Sequence, residues 1–171
     1  MLFRSKRLSP KWVLNNTKPT LQATSGTKPT ATKKIGVNME FHVEASPRAK
    51  KFMEALLPNM LYQLGLTNSR RLLMIKMDRE LKDHGTTVPM PGINTILVVL
   101  KPRRNPIELG VTLAHELVHV RQLAKGILQV TPKGKKWRGR FYSGRTPYLD
   151  QPWEQDAFAR QEIIFRRAID S

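Results

Sequence analysis

At 171 residues the chain is long enough for one domain with a real core and too short for two comfortable ones. It has no cysteine, which excludes disulfides, thiolate metal sites and a cysteine nucleophile, so any metal would have to be held by histidine and carboxylate. The 30 Lys+Arg against 13 Asp+Glu, a net charge of +17, imply attraction to polyanions, and no run of about 18 apolar residues is present to span a membrane.

The charge is densest at the start. Residues 1–34 contain Arg4, Lys6, Arg7, Lys11, Lys18, Lys28, Lys33 and Lys34 and no acid, and their second half is rich in Thr, Lys and Pro, with Thr-Lys-Pro-Thr beginning at 17 and again at 27. Such a composition offers almost nothing to bury, so residues 1–34 are expected to be a disordered basic tail. Leu8, Trp12, Val13 and Leu14 could anchor it to a partner or to the domain, or could belong to a plain solubilising tail. The start lacks the apolar stretch of a secretory signal, although an acid-free, Arg-containing beginning also suits an organelle-targeting peptide. A cytoplasmic or virion-associated location is the expectation.

The ordered domain is expected over residues 35–171. Gly36 to Glu44 alternates weakly and could form a short strand. Ser46-Pro47 opens a helix to about Leu64, with Phe52, Leu56, Leu57, Met60, Leu61 and Leu64 on its apolar side, which Pro58 should kink or divide and Gly65 should close. Arg71 to Asp78 reads as a strand. After a polar turn around His84-Gly85 and a loop at Pro89-Met90-Pro91-Gly92, Ile93 to Lys101 reads as a second strand.

Asn105-Pro106-Ile107-Glu108 then has the form of a helix start, with Asn105 as N-cap, Pro106 at the first helical position and Glu108 as the capping-box acid, while Gly126 is the stop. Ile107, Val111, Leu113, Ala114, Leu117, Val118, Val120 and Ala124 make this a mostly apolar, central helix. Within it lies His115-Glu116-Leu117-Val118-His119. Histidines at i and i+4 project from one helix face, so both imidazoles can reach one metal ion, and Glu116, about 100° round the helix, brings a carboxylate beside them. Three such groups are costly to bury unless something satisfies them. The alternative is a pair of core histidines bonded to neighbouring carbonyls.

Residues 131–145, TPKGKKWRGRFYSGR, carry Lys133, Lys135, Lys136, Arg138, Arg140 and Arg145 with no acid, and interleave Trp137, Phe141 and Tyr142. They read as a short hairpin or loop. Cations among aromatics suit nucleic acid, an acidic peptide, or simply a solvated hairpin with its aromatics inward. A last helix should start at Pro152 and run to about Ile169. Glu154 in its first turn, with Phe158, Gln161 and Phe165 on the same side, could face the histidines as the third protein ligand that a catalytic zinc commonly takes. Asp156 is expected to point elsewhere. Glu154 could instead be a capping acid, and His84 in its loop is the rival ligand.

His115-Glu116-x-x-His119 followed by a glutamate on a later helix resembles the zincin metallopeptidases in their gluzincin arrangement. The segments His-Glu-Leu-Val-His-Val-Arg-Gln, Trp137-x-Gly139 and Pro152-Trp153-Glu154 are also similar to small predicted metallopeptidases of tailed bacteriophages, over roughly residues 70–171. The resemblance implies one Zn2+ per chain on His115, His119 and Glu154, and Glu116 as general base and later proton donor. It also implies an α+β zincin-like fold: a small mixed β-sheet packed on the central HExxH helix, with the C-terminal glutamate-bearing helix crossing behind. The chain departs from the pattern at Arg121, where an apolar residue is usual, and at Trp153 and Phe158, where Asn and a second acid are usual. The match assigns no oxyanion donor, and Tyr142, Tyr148, Arg145 and His84 are candidates.

Two functions follow as expectations. One is a zinc-dependent metallopeptidase acting on a peptide or protein substrate, where a strand at the sheet edge could pair with an extended peptide. The other is a basic nucleic-acid-associated or virion structural protein, contacting nucleic acid through the tail and residues 131–145, with a structural or vestigial metal site.

Overall fold

The computed structural model describes residues 37–171. The expected basic tail, with its apolar anchor, lies outside the described residues. The rest is α+β, with three helices and two small sheets.

The first sheet contains β1 (Phe41–Glu44), β2 (Leu72–Met77), β3 (Gly85–Pro89) and β4 (Thr95–Leu100) in the order β1-β2-β4-β3. β1, β2 and β4 run parallel and β3 runs antiparallel to β4, so the sheet is mixed. A parallel neighbour needs a crossover, and α1 (Pro47–Gln63) supplies the one between β1 and β2. The runs Leu72–Met77 and Thr95–Leu100 are rich in β-branched and aliphatic residues, and Leu73, Ile75, Ile96, Val98 and Leu100 are buried in the core.

Two expectations about these elements are revised. Of the kink or division expected at Pro58, division does not occur: α1 runs unbroken from Pro47 to Gln63. A proline there removes only the hydrogen bond to the carbonyl four residues back, that of exposed Glu54, while Leu56, Leu57, Met60 and Leu61 bury the opposite side and hold the helix to the core. The segment after His84 is a strand and not merely a turn and loop. Gly85–Pro89 pairs with β4 from Gly85 opposite Leu100 to Pro89 opposite Ile96, which makes it an edge of the sheet.

The central helix, α2 (Pro106–Ala124), begins and ends as its sequence dictates. Asn105 Oδ1 accepts from Ile107 N at 2.9 Å, Pro106 occupies the first helical position, and Gly126 follows the C-cap at φ +68°, a conformation open to glycine. Glu108 closes no capping box; it lies 4.0 Å from Arg103. From Leu113 to Val120 every residue of α2 is buried. The helix packs against β3 and β4 on one side and α3 (Pro152–Ile169) on the other, and α1 also lies against α3. Gly110 makes the α2–α3 crossing close, since a Cβ at this position would collide with the Phe165 ring.

Residues 128–143 form a second sheet of three antiparallel strands, β5 (Leu128–Thr131), β6 (Gly134–Trp137) and β7 (Arg140–Ser143), one strand more than a hairpin. Arg138 and Gly139 join β6 to β7 with positive φ at both residues, 48° and 84°, the backbone of a two-residue turn matched to strand twist. The alternation turns Lys135, Trp137 and Tyr142 inward and leaves Lys136 and Phe141 exposed; Arg140, at the start of β7, is exposed as well.

Candidate metal centre

α2 carries His115 and His119 one turn apart, and α3 brings Glu154 against them. All three are buried. Glu154 is free to turn inward because the N-terminus of α3 is capped by backbone: the Gln151 carbonyl accepts from Glu154 N and Gln155 N at 3.0 and 3.1 Å, and no side chain takes part. Glu154 is therefore not a capping acid. His84, the rival ligand, is exposed in the bend before β3 and stands outside the group.

The separations are those of ligands around a shared ion. His115 Nε2 lies 3.2 Å from Glu154 Oε2 and 3.2 Å from His119 Nε2, and His119 Nε2 lies 3.4 Å from the same carboxylate oxygen. Bonds of about 2.0–2.1 Å in a tetrahedral site put neighbouring donor atoms about 3.3 Å apart. The triangle matches one face of such a tetrahedron.

Protonation makes the same point independently. Gln122 Nε2 donates to Trp153 O and to Asp156 Oδ2, both at 3.0 Å, so its Oε1 must be the atom facing His119 Nδ1 at 2.9 Å. Only an N–H can meet that oxygen. His119 thus carries its proton on Nδ1, and neutral Nε2 presents a lone pair. His115 Nδ1 lies 2.8 Å from Gln161 Oε1 and, with the amide so turned, donates to it. Two nitrogen lone pairs and a carboxylate oxygen then converge with no proton between them, an arrangement a cation satisfies. Without one, protons take its place: burial disfavours charge, but bonding to Glu154 raises the His119 pKa. Burial likewise opposes ionisation of Glu154, but hydrogen bonds from His115 and His119 hold its pKa well below the usual carboxylate range. The residues present fit a small divalent cation.

Around this group lie side chains whose part the sequence did not reveal. Gln122 and Gln161 orient the imidazoles. Asp156, expected to point elsewhere, reaches the centre at one remove by fixing Gln122, and is itself held 2.7 Å from Arg160. These groups do the orienting that a second acid at Phe158 would have done; Phe158 instead packs edge-on to the His115 ring at 4.8 Å. The signal available was spacing, with Gln122 three residues after His119 and Gln161 two turns beyond Glu154.

Glu116 is buried on the β3 side of α2. Thr87 donates to its Oε2 at 2.7 Å, and Gly85 leaves the room its side chain occupies. Burial raises its pKa above that of a free carboxyl, partly offset by the Thr87 bond and the two histidines. A carboxylate so placed can exchange a proton closer to neutrality than an exposed one. Of the four oxyanion candidates, Tyr148 is the one that senses the centre: burial, and then the Glu154 carboxylate, push its pKa up. Tyr142 packs edge-on against Trp153 at 5.6 Å, while Arg145, like His84, is exposed.

Comparison with protein-family models, with curated proteins and with solved structures yields no match.

Proposed function

We propose that residues 35–171 are a zinc-dependent metallopeptidase domain of the gluzincin type, with His115, His119 and Glu154 as ligands of one Zn2+ and Glu116 as general base. The observation that carries this reading is the convergence of three proton-free donor atoms at tetrahedral spacing, with a buried, neutral-leaning carboxylate on the adjoining helix position. Zinc bound there would supply Lewis acidity toward a carbonyl and acidify water. The protein's own groups do the rest. Glu116 takes the proton of the attacking water and later passes it to the leaving amine, while Thr87 and Gly85 hold its carboxylate in place. Gln122 and Gln161 keep the histidines in the Nδ1–H tautomer that leaves Nε2 free to bind. The Tyr148 hydroxyl, a phenol at neutral pH, is the candidate donor for a developing oxyanion. β3 is an edge strand packed on α2, so an extended peptide paired to its free side would run past Glu116.

The test is cleavage of a mixed-peptide library by the zinc-reconstituted protein beside Glu116→Gln. Cleavage lost in the variant with zinc retained supports the reading; equal cleavage by both would assign the activity elsewhere.

The exposed cations of the second sheet favour a second reading, a nucleic-acid-associated or virion protein whose metal is structural. Lys136, Arg138 and Arg140 stand on β6, β7 and their turn, in a stretch, 131–145, with no acid. Binding to DNA or RNA that falls steeply with salt, in a protein inert toward peptides, would favour it. Among the described residues no helix is long and apolar enough to cross a membrane.

A further inference from the structure

Next to the metal centre, between the second sheet and the start of α3, lies a cavity of about 440 Å3 lined by Val130, Thr131, Lys135, Ser143, Gln151 and Trp153, among others. Two of these residues are unusual. Trp153, the neighbour of the ligand Glu154, is 2 % exposed, yet its indole Nε1–H has no hydrogen-bond partner. An indole nitrogen can only donate, so a buried one without an acceptor is a costly vacancy in the bonding scheme. Lys135 is half-buried on β6, with its ammonium 4.9 Å from the centre of the Trp153 ring. It makes no ion pair among the described residues, although six other cationic or histidine side chains of the domain do.

Lys135, a cation without an ion pair, lines this cavity over the Trp153 ring and calls for an anionic partner, while the indole Nε1–H, with almost no accessible surface, lies behind the wall. Gln151 does not supply it, being neutral, with its Nε2–H donated to Thr146 O at 2.9 Å. Nor do Glu154 and Glu116, which exert a field on Lys135 but face the histidines and Thr87. A carboxylate suits a cation so placed. We propose that this cavity is a substrate subsite for a carboxylate, the side chain of an Asp or Glu flanking the scissile bond or the carboxylate at a peptide's end, held by Lys135 where it lies over the Trp153 ring. The inference rests on the peptidase reading and gives it a substrate class: acidic peptides.

The experiment uses full-length, zinc-loaded Glu116→Gln protein, which separates binding from turnover. Fluorescence anisotropy would follow three labelled peptides: one end-blocked with a central Glu, its Gln counterpart, and one with a free C-terminal carboxylate and no acidic side chain. The end-blocked Glu peptide should bind about tenfold or more tightly than the Gln peptide, as a charge-assisted bond implies. The preference should vanish on adding Lys135→Gln, with zinc content and melting temperature unchanged. If the third peptide alone is favoured, and the Lys135 variant loses it, the carboxylate is that of the chain end. Equal binding of all three peptides, or a preference that survives Lys135→Gln, overturns the subsite. Cleavage by the wild type keeps the two failures apart. Peptides cut without acidic preference would sink the subsite and spare the peptidase; charge-selective binding with no cut peptide would do the reverse.

Discussion

A Cβ atom added to Gly85 would stand 2.5 Å from Glu116 Oε1 and 2.8 Å from its Cγ. The edge strand and the Glu116 carboxylate are therefore fitted to each other, and the fit demands glycine for space. Because Glu116 is only 4 % exposed, its side chain has little room to yield. Gly85→Ala is expected to displace the carboxylate and cut kcat by about a hundredfold, a typical cost of misplacing a reacting group by about 1 Å. Zinc content should not change, since Gly85 touches none of the ligands. Unchanged kcat would show that Glu116 has freedom the packing denies it.

Thr87→Val removes the hydrogen bond to Glu116 while keeping the shape of the side chain. That bond lowers the Glu116 pKa, against the larger raising effect of burial, so its loss raises the pKa further. Glu116 acts as base when deprotonated, and the acid limb of the kcat/KM profile should move to higher pH in the variant. A limb that stays put, or moves down, would mean that another group sets it.

Gln122 is bonded on both sides, to His119 by its oxygen and to Trp153 O and Asp156 by its nitrogen. Gln122→Ala frees the His119 ring and its tautomer. Zinc affinity, measured by competition with a chelator, should fall about ten- to hundredfold. His119→Ala should cost far more, because it removes a ligand and not merely the group that orients one.

Gly110 sets the distance between the helices that carry the ligands. Replacing glycine by alanine inside a helix ordinarily gains about 1 kcal/mol, whereas overpacking a core ordinarily costs about 1–3 kcal/mol. The added Cβ would collide with the buried Phe165 ring, so the packing cost should prevail and Gly110→Ala should lower stability in a denaturant melt. The same separation of α2 from α3 should weaken zinc binding by drawing Glu154 away from the histidines. A more stable variant would show that the crossing is loose.

Much of this centre is legible in sequence because its strongest constraints are local. His115 and His119 share a face through helix geometry alone, and Asn105, Pro106 and Gly126 mark the ends of their helix by their own backbone chemistry. Pro152 marks the start of α3 in the same way. What escapes is whatever another element decides. Gly85–Pro89 has no alternating apolar pattern and ends in proline; it becomes a strand because β4 offers it a partner. Asp156 reads as an outward acid until α3 is laid across α2, when Gln122 comes within its reach. Leu56 and Leu57 were visible as core, but the survival of α1 through Pro58 depends on what those leucines are buried against.

The most direct measurement is metal content by elemental analysis of the purified full-length protein beside Glu116→Gln, His119→Ala and Glu154→Ala. The proposed function predicts about one zinc per chain in the wild type and in Glu116→Gln, none in His119→Ala and weakened retention in Glu154→Ala. A wild-type protein without bound metal even after reconstitution, or one that binds it equally well without His119, would contradict the three-ligand centre and the function built on it.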